Sequence, residues 1–418
     1  MKKLIFTAFV VLTAAGLTTA QLTAIRAGKL VDPETGKVTV NQVILVDGAD
    51  IKAVGPNVAI PAGTSVIDLS MFTVMPGMMD AHAHLCMNMV HKRDANSYYI
   101  TTLRDSNAKR AIQGAVNARS MLEYGFTSVR DIGNEGNYAC VEVRRAINQG
   151  LIDGPLLITA GRIIAPYGGQ FDLQPDKQNL GEPEYFYADT RDEIKKAIRQ
   201  NIHYGATVIK LVIDDQQYIY SVDDIKFAIE EAHAAGVKLA AHAWTAAGAL
   251  NAAKAGVDSI EHAVVISDEA LAIAKKNNVA IVPTPFTEAD ATAGGQPGQV
   301  KTTNEDWFID PVRRANKAGV TLVFGPDVIF NTNGLPRGKL SIDTVDEWKM
   351  TGISSVSILQ ALTTNAAKLL GIEKTRGWIK SGFRADIIAV RDNPLEKIET
   401  VKDVVFVMRN GKVYKQKN

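Results

Sequence analysis

The 418-residue chain has only two cysteines, Cys86 and Cys140, too few to define a disulfide framework. Both lie near predicted barrel-mouth loops, and the expectation is two unpaired thiols. Charge surplus is also missing: 46 basic against 45 acidic side chains leave a net charge of +1. That excludes a basic footprint for nucleic acid and any general attraction to an anionic membrane surface. Long apolar runs are missing too. The longest, in MKKLIFTAFVVLTAAGLTTA at residues 1–20, covers about 14 residues and falls short of the roughly 20 that a spanning helix needs. Two lysines, an apolar stretch and small residues ending at Ala20 form a secretory signal pattern, and no cysteine follows to accept a lipid. The sequence therefore predicts an exported mature chain starting near Gln21, periplasmic or extracellular, without membrane insertion. Self-association is left open.

Between these absences the texture changes twice. Residues 21–76 alternate apolar and polar positions around turn residues, as in TAIRAGKLVDPETGKV and QVILVDGADIKAVG, which predicts short antiparallel strands. Residues 372–418 have the same texture in GWIKSGFRADIIAV and VKDVVFVMRNGKVYK. The two ends together predict one small β-sandwich domain.

Residues 77–371 alternate strand-like runs with helical patterns. Eight candidate strands, at 74–82, 127–132, 156–161, 207–213, 237–242, 259–262, 279–284 and 321–325, predict an α/β fold of the (β/α)8 TIM-barrel type. Helical patterns such as VDDIKFAIEEAHAAG and ISSVSILQALTTNAAKLLG end at plausible glycine caps, Gly236 and Gly371. Loops at 86–108, 165–190 and 286–309 are predicted to overhang the barrel mouth, where such loops form lids.

Six chemically distinctive residues fall near the C-terminal ends of these runs. They are His82 and His84 in PGMMDAHAHL, Lys210 in ATVIKLVID, His242 in VKLAAHAW, His262 in SIEHA and Asp327 in TLVFGPD. Side chains two apart on a strand share a face, so His82 and His84 can address one ion. Lys210 interrupts an otherwise apolar strand, where a free ammonium would lose hydration or shed its proton. A lysine reaching along the strand to the barrel end, or paired with Asp131, is the plain alternative. Arg130 and Asp131 are read as a mutually bracing pair, or Arg130 as a partner for a substrate carboxylate. His91, His203 and His233 are expected not to be ligands.

The order of HxH, lysine, two histidines and aspartate on strands one, four, five, six and eight resembles the binuclear members of the amidohydrolase superfamily. Segments such as GFTSVRDIG, GVDSIEHA and ALTTNAAKLLG are similar to the branch holding imidazolonepropionase-like proteins and the Xaa-Pro and Xaa-Arg dipeptidases. The resemblance spans essentially the whole mature chain.

It implies that His82, His84 and Asp327 hold one metal, His242 and His262 a second, and that Lys210, carboxylated by CO2, bridges both. Two divalent ions, zinc first and manganese, iron or cobalt as alternatives, would lower the pKa of a shared water from about 15.7 toward 7. The resulting hydroxide would attack the scissile carbonyl, with Asp327 as general base. A tyrosine after the lysine binds the substrate carboxylate in such peptidases; Tyr220 fits best, with Tyr218 in reserve. Many relatives carry a histidine after a Gly-Gly pair in the third loop, where this chain has Gln170. Tyr167 and Phe171 suggest an apolar or aromatic substrate face.

The function implied is hydrolysis of an amide bond in a small N-acyl amino acid or dipeptide. The alternatives are a lactone, carbamate or cyclic-amide hydrolase with the same site, and an inactive binding or scaffold relative.

Overall fold

The computed structural model describes residues 22–95, 97–171, 173–285, 305–330 and 334–417. The leader pattern at 1–20, Asp172 and most of the loop predicted at 286–309 lie outside the described residues.

Both ends of the chain meet in one seven-stranded sheet. Strands β1 (Leu22–Asp32), β2 (Lys37–Asp47), β3 (Asp50–Gly55) and β4 (Ser65–Pro76) form one part of it. Strands β14 (Ile387–Val390), β15 (Val404–Arg409) and β16 (Lys412–Gln416) complete it, in the order β16-β15-β14-β4-β1-β2-β3. The first hairpin forms because the Asp32 carboxylate accepts from Glu34 N and Thr35 Oγ1 at 3.0 and 2.7 Å, which folds the turn locally. Instead of two separately bonded sheets, β1 pairs antiparallel with β2 and parallel with β4, so hydrogen bonding is continuous through all seven strands. Their alternate residues Ile25, Ile44, Ile51, Val74, Ile387 and Phe406 share one buried cluster. Each such side chain contributes roughly 1.5–3 kcal/mol by leaving water.

The middle of the chain is parallel. Strands β5 (Met78–Ala83), β6 (Phe126–Asp131) and β7 (Leu156–Thr159) make one sheet. A second has the order β13-β12-β11-β10-β8-β9. Its strands are β8 (Ile163–Ala165), β9 (Tyr185–Tyr187), β10 (Val208–Val212), β11 (Lys238–Ala243), β12 (Ser259–His262) and β13 (Ala280–Val282). Backbone bonds run between them: Thr207 N donates to Thr159 O at 2.7 Å, Ile281 N to Thr321 O at 2.9 Å and Ala81 N to Phe324 O at 2.9 Å.

Three of the eight anticipated strands differ, the first, 74–82, being divided at Gly77 between β4 and β5. The third is split into β7 and β8 around Gly161, whose φ of +73° turns the chain between partners. The eighth, 321–325, is not a regular strand but an extended segment with a single bridge, Ile281 to Leu322. It runs so close to β5 that a Cβ on Gly325 would sit 2.8 Å from His82 N. Helices begin where the sequence offers caps, including a capping box of Thr190 with Glu193 and an end at Gly371 with φ +71°.

Cys86 and Cys140 are disulfide-bonded, with Cα atoms 5.9 Å apart, which corrects the expectation of free thiols. Cys86 follows β5 and Cys140 lies in the helix Ala139–Asn148 after the neighbouring β6, so adjacent strands bring the two loops together. Gly114 makes room: a Cβ there would meet Cys86 Sγ at 2.4 Å. Among the described residues no helix is long and apolar enough to cross a membrane.

Candidate metal centre

His82, His84 and Asp327 converge at the ends of β5 and of the extended segment that follows β13. Asp327 Oδ1 lies 3.2 Å from His84 Nε2 and 3.6 Å from His82 Nε2, and the three form a group able to hold an ion. Asp327 N donates to His82 O at 3.0 Å, which fixes the aspartate against the histidine strand. Register explains the other side. Val212 pairs with His242, and His242 with Glu261, so these positions and Lys210 share one face of the sheet.

His262 should then point the other way, since it follows Glu261 directly. Instead its backbone takes φ +68°, followed by Ala263 at +55°, and this left-handed turn swings the imidazole back toward its neighbours. Its ring centroid lies 4.4 Å from that of His242 and 4.9 Å from that of His82. Asp327 takes φ +55° as well. Left-handed non-glycine backbone costs on the order of 1–3 kcal/mol and persists where surrounding contacts enforce it.

Each of three imidazoles has its Nδ1 engaged by a partner outside the cluster. His82 Nδ1 lies 2.8 Å from Glu261 Oε2, His84 Nδ1 lies 2.7 Å from Gly133 O, and His262 Nδ1 lies 2.8 Å from Thr284 Oγ1. Such partners set the tautomer and aim Nε2. Burial first, and then the positive field of Lys210, pushes His82 down to about 4. Burial and the other histidines hold His262 well below its ordinary value. Neutral imidazole is the form that binds metal. Burial alone would raise Glu261, but Arg130, the His82 hydrogen bond and Lys210 overcome it and hold the carboxylate at about 2.

Lys210 is 2% exposed, and burial lowers it to about 8 against the pull of Glu261 and Asp327. The plain alternatives do not hold: it is not at the surface, and Asp131 is engaged elsewhere, accepting from Leu85 N at 2.5 Å. Arg130 does brace the site, but not through its sequence neighbour. Its guanidinium donates to Glu261 Oε1 at 2.7 Å, Ser259 Oγ at 3.0 Å and Ala81 O at 2.6 Å, because adjacent strand residues face opposite sides.

The anticipated substrate contacts are placed differently from one another. Tyr220 is 7% exposed, and its hydroxyl donates to Ala188 O; Tyr218 is 80% exposed. Tyr167 is 60% exposed, with its ring 5.5 Å from Tyr187. Phe171 is buried against Tyr98, Tyr99 and Tyr185, so it packs the loop instead of facing a substrate. Gln170 Nε2 donates to Asp215 Oδ2 at 2.6 Å. The aromatic ring beside the histidines is Trp244, 5.2 Å from His262 and 5.4 Å from Trp307.

Three supporting residues escaped the sequence reading: Glu261, Asp215 and Arg337. Arg337 is buried and donates to the carbonyls of His84 (3.0 Å), Met87 (2.7 Å) and Val328, tying the loop after β5 to the loop after Asp327. Burial lowers it to about 10 despite Asp131, Asp80 and Asp327. A charged residue inside an apolar run, as in SIEHA, was the one signal available for Glu261.

The amidohydrolase family profile matches residues 73–414. Ochratoxinase from Aspergillus niger is 29% identical over 444 residues, spanning 97% of this chain and 89% of ochratoxinase. A solved Xaa-Pro dipeptidase with bound methionine in its active site matches at TM-score 0.81 and 28% identity, over 94% of this chain and 100% of the other. A prolidase complexed with N-methylphosphonate-L-proline matches at TM-score 0.83 and 26% identity, over 95% and 100%.

Proposed function

This chain belongs to the amidohydrolase family, and from that membership we propose a two-metal enzyme that hydrolyses the amide bond of a small N-acyl amino acid or dipeptide. We read residues 77–371 as a closed (β/α)8 barrel carrying the site, residues 21–76 and 372–418 as one accessory β domain, and residues 1–20 as an export signal that delivers the enzyme outside the cytoplasm.

The observation that carries the reading is Lys210: buried, lowered to about 8, and facing the same side as His242 and Glu261. A neutral amine is the form that adds CO2, so this environment suits a carbamate. The donor set fits two divalent ions, zinc first, with His82, His84 and Asp327 holding one, His242 and His262 the other, and carboxylated Lys210 between them. When bound, the ions would activate water and polarise the scissile carbonyl.

The chain's own groups supply the rest. Asp327 Oδ1 faces His82 and His84, which leaves Oδ2 to accept the proton of the attacking water and pass it to the departing nitrogen. Glu261 and Arg130 hold His82 in the tautomer that presents Nε2. Trp244 offers a flat apolar wall for the substrate beside the histidines. Tyr220 spends its one donor on Ala188 and would bind a substrate carboxylate only by giving that bond up, whereas Gln170 gives one amide N–H to Asp215 and has a second.

The names Xaa-Pro dipeptidase and prolidase on two of the similar structures support amide cleavage over lactone cleavage. The test is amino-acid release by the purified mature protein, supplied with zinc and bicarbonate, from dipeptides, N-acyl amino acids and their C-terminal methyl esters, with lactones as controls. Release from a subset of the amides is expected. Turnover confined to lactones would overturn the amide reading.

A further inference from the structure

We propose that Asp215 is an additional metal ligand, joining His242 on the ion that His242 and His262 hold; this rests on the two-metal reading above. Asp215 Oδ2 lies 2.9 Å from His242 Nε2. That nitrogen is buried and has no hydrogen-bond partner, so the approach is close without being aligned as a hydrogen bond. Two donor atoms each about 2.1 Å from one ion, at angles of about 90–110°, stand roughly 3.0–3.4 Å apart. The 2.9 Å spacing is close to that, as is the 3.2 Å between His84 Nε2 and Asp327 Oδ1.

Asp214 also lies in this cluster, but its oxygens are taken. They accept from Trp244 N, Thr245 N and Thr245 Oγ1 at 2.8, 2.7 and 2.6 Å, fixing the loop after β11. Asp215 has a different setting. Its backbone stands at φ +117°, a strained position for a residue with a side chain, and the strain turns the carboxylate toward His242.

Gln170 then holds it there. Its amide donates to Asp215 Oδ2 at 2.6 Å, its Oε1 accepts from Tyr185 at 3.0 Å and its backbone carbonyl accepts from Tyr98 at 3.0 Å. The glutamine that stands after Gly168 and Gly169 is thus a positioning residue for a carboxylate ligand, and its amide cannot compete for the metal as an imidazole would.

The test is metal binding, separate from turnover. Metal-free wild type, D215N and Q170A, each checked for an unchanged melting profile, are titrated with Co2+ in the presence of bicarbonate while visible absorption is recorded. Wild type is expected to take up two ions per chain. D215N should lose affinity for one by more than the 10–100-fold typical of outer partners, with an altered cobalt spectrum, while the other step is unchanged. Q170A should weaken the same step by about 10-fold. Two ions in D215N with a less than tenfold change and the wild-type spectrum would overturn Asp215 as a ligand while leaving the two-metal reading intact. Fewer than two ions in wild type would sink that reading itself.

Discussion

Glu261 Oε2 stands 2.8 Å from His82 Nδ1, and the two residues are 179 positions apart in the chain. Glu261 is also the acceptor for Arg130, so one buried carboxylate links a histidine on β5 to a charge on β6. Replacing it with glutamine keeps the size but removes the anion that fixes the His82 tautomer. E261Q should bind the ion at His82 about 10–100-fold more weakly, measured by competition with a chelator. Unchanged affinity would show that His82 needs no orienting partner.

Asp327→Asn should lower kcat by about 10²–10⁴-fold, the usual worth of a positioned general base, while metal analysis finds most of the ion retained. Turnover near the wild-type rate would remove Asp327 from the proton path.

Lys210→Ala should abolish the bicarbonate dependence of metal uptake. Wild-type protein stripped of metal is expected to reconstitute faster with added bicarbonate, and the variant to be indifferent to it and to hold fewer ions. Equal bicarbonate dependence in both would exclude a carbamate at this position.

The disulfide should matter for stability. Its closed loop spans a sequence separation of 54, for which the chain-entropy relation gives about 4 kcal/mol. A C86S/C140S double variant should unfold at lower denaturant, with activity at 25 °C largely kept. An identical midpoint would mean the bond adds nothing.

A pH effect is expected from Glu135, away from the proposed ligands. Burial first, and then nearby Asp131, raises it to about 8. Because the folded state then holds a proton that the unfolded state releases near 4.5, stability from this group is complete below about 4.5 and declines as pH rises toward 8. E135Q should flatten that decline and melt a few degrees higher at pH 8; parallel melting curves from pH 5 to 8 would refute it.

The residues expected to hold metal were legible because each interrupts or ends an apolar run, a local signal that strand periodicity converts into a shared face. The supporting residues were not. Arg337 reaches a carbonyl 253 residues away, and nothing local marks such a pairing. Adjacency misled at Arg130 and Asp131, since strand neighbours part company. The turn at His262 is a backbone property that no residue type there announces. Pairing of the cysteines depends on two loops becoming neighbours, which only the assembled sheet decides.

The pairing of β4 with β14 has a consequence for biosynthesis. Pro76 faces Ile387 in that ladder, so about 310 residues must leave the ribosome before the edge of β4 is covered, roughly 15–60 s at 5–20 residues per second. Throughout that interval the nascent chain exposes an unpaired, largely apolar strand edge of the kind that recruits other chains. Truncation ahead of β14, at or before Ile387, would make that exposure permanent.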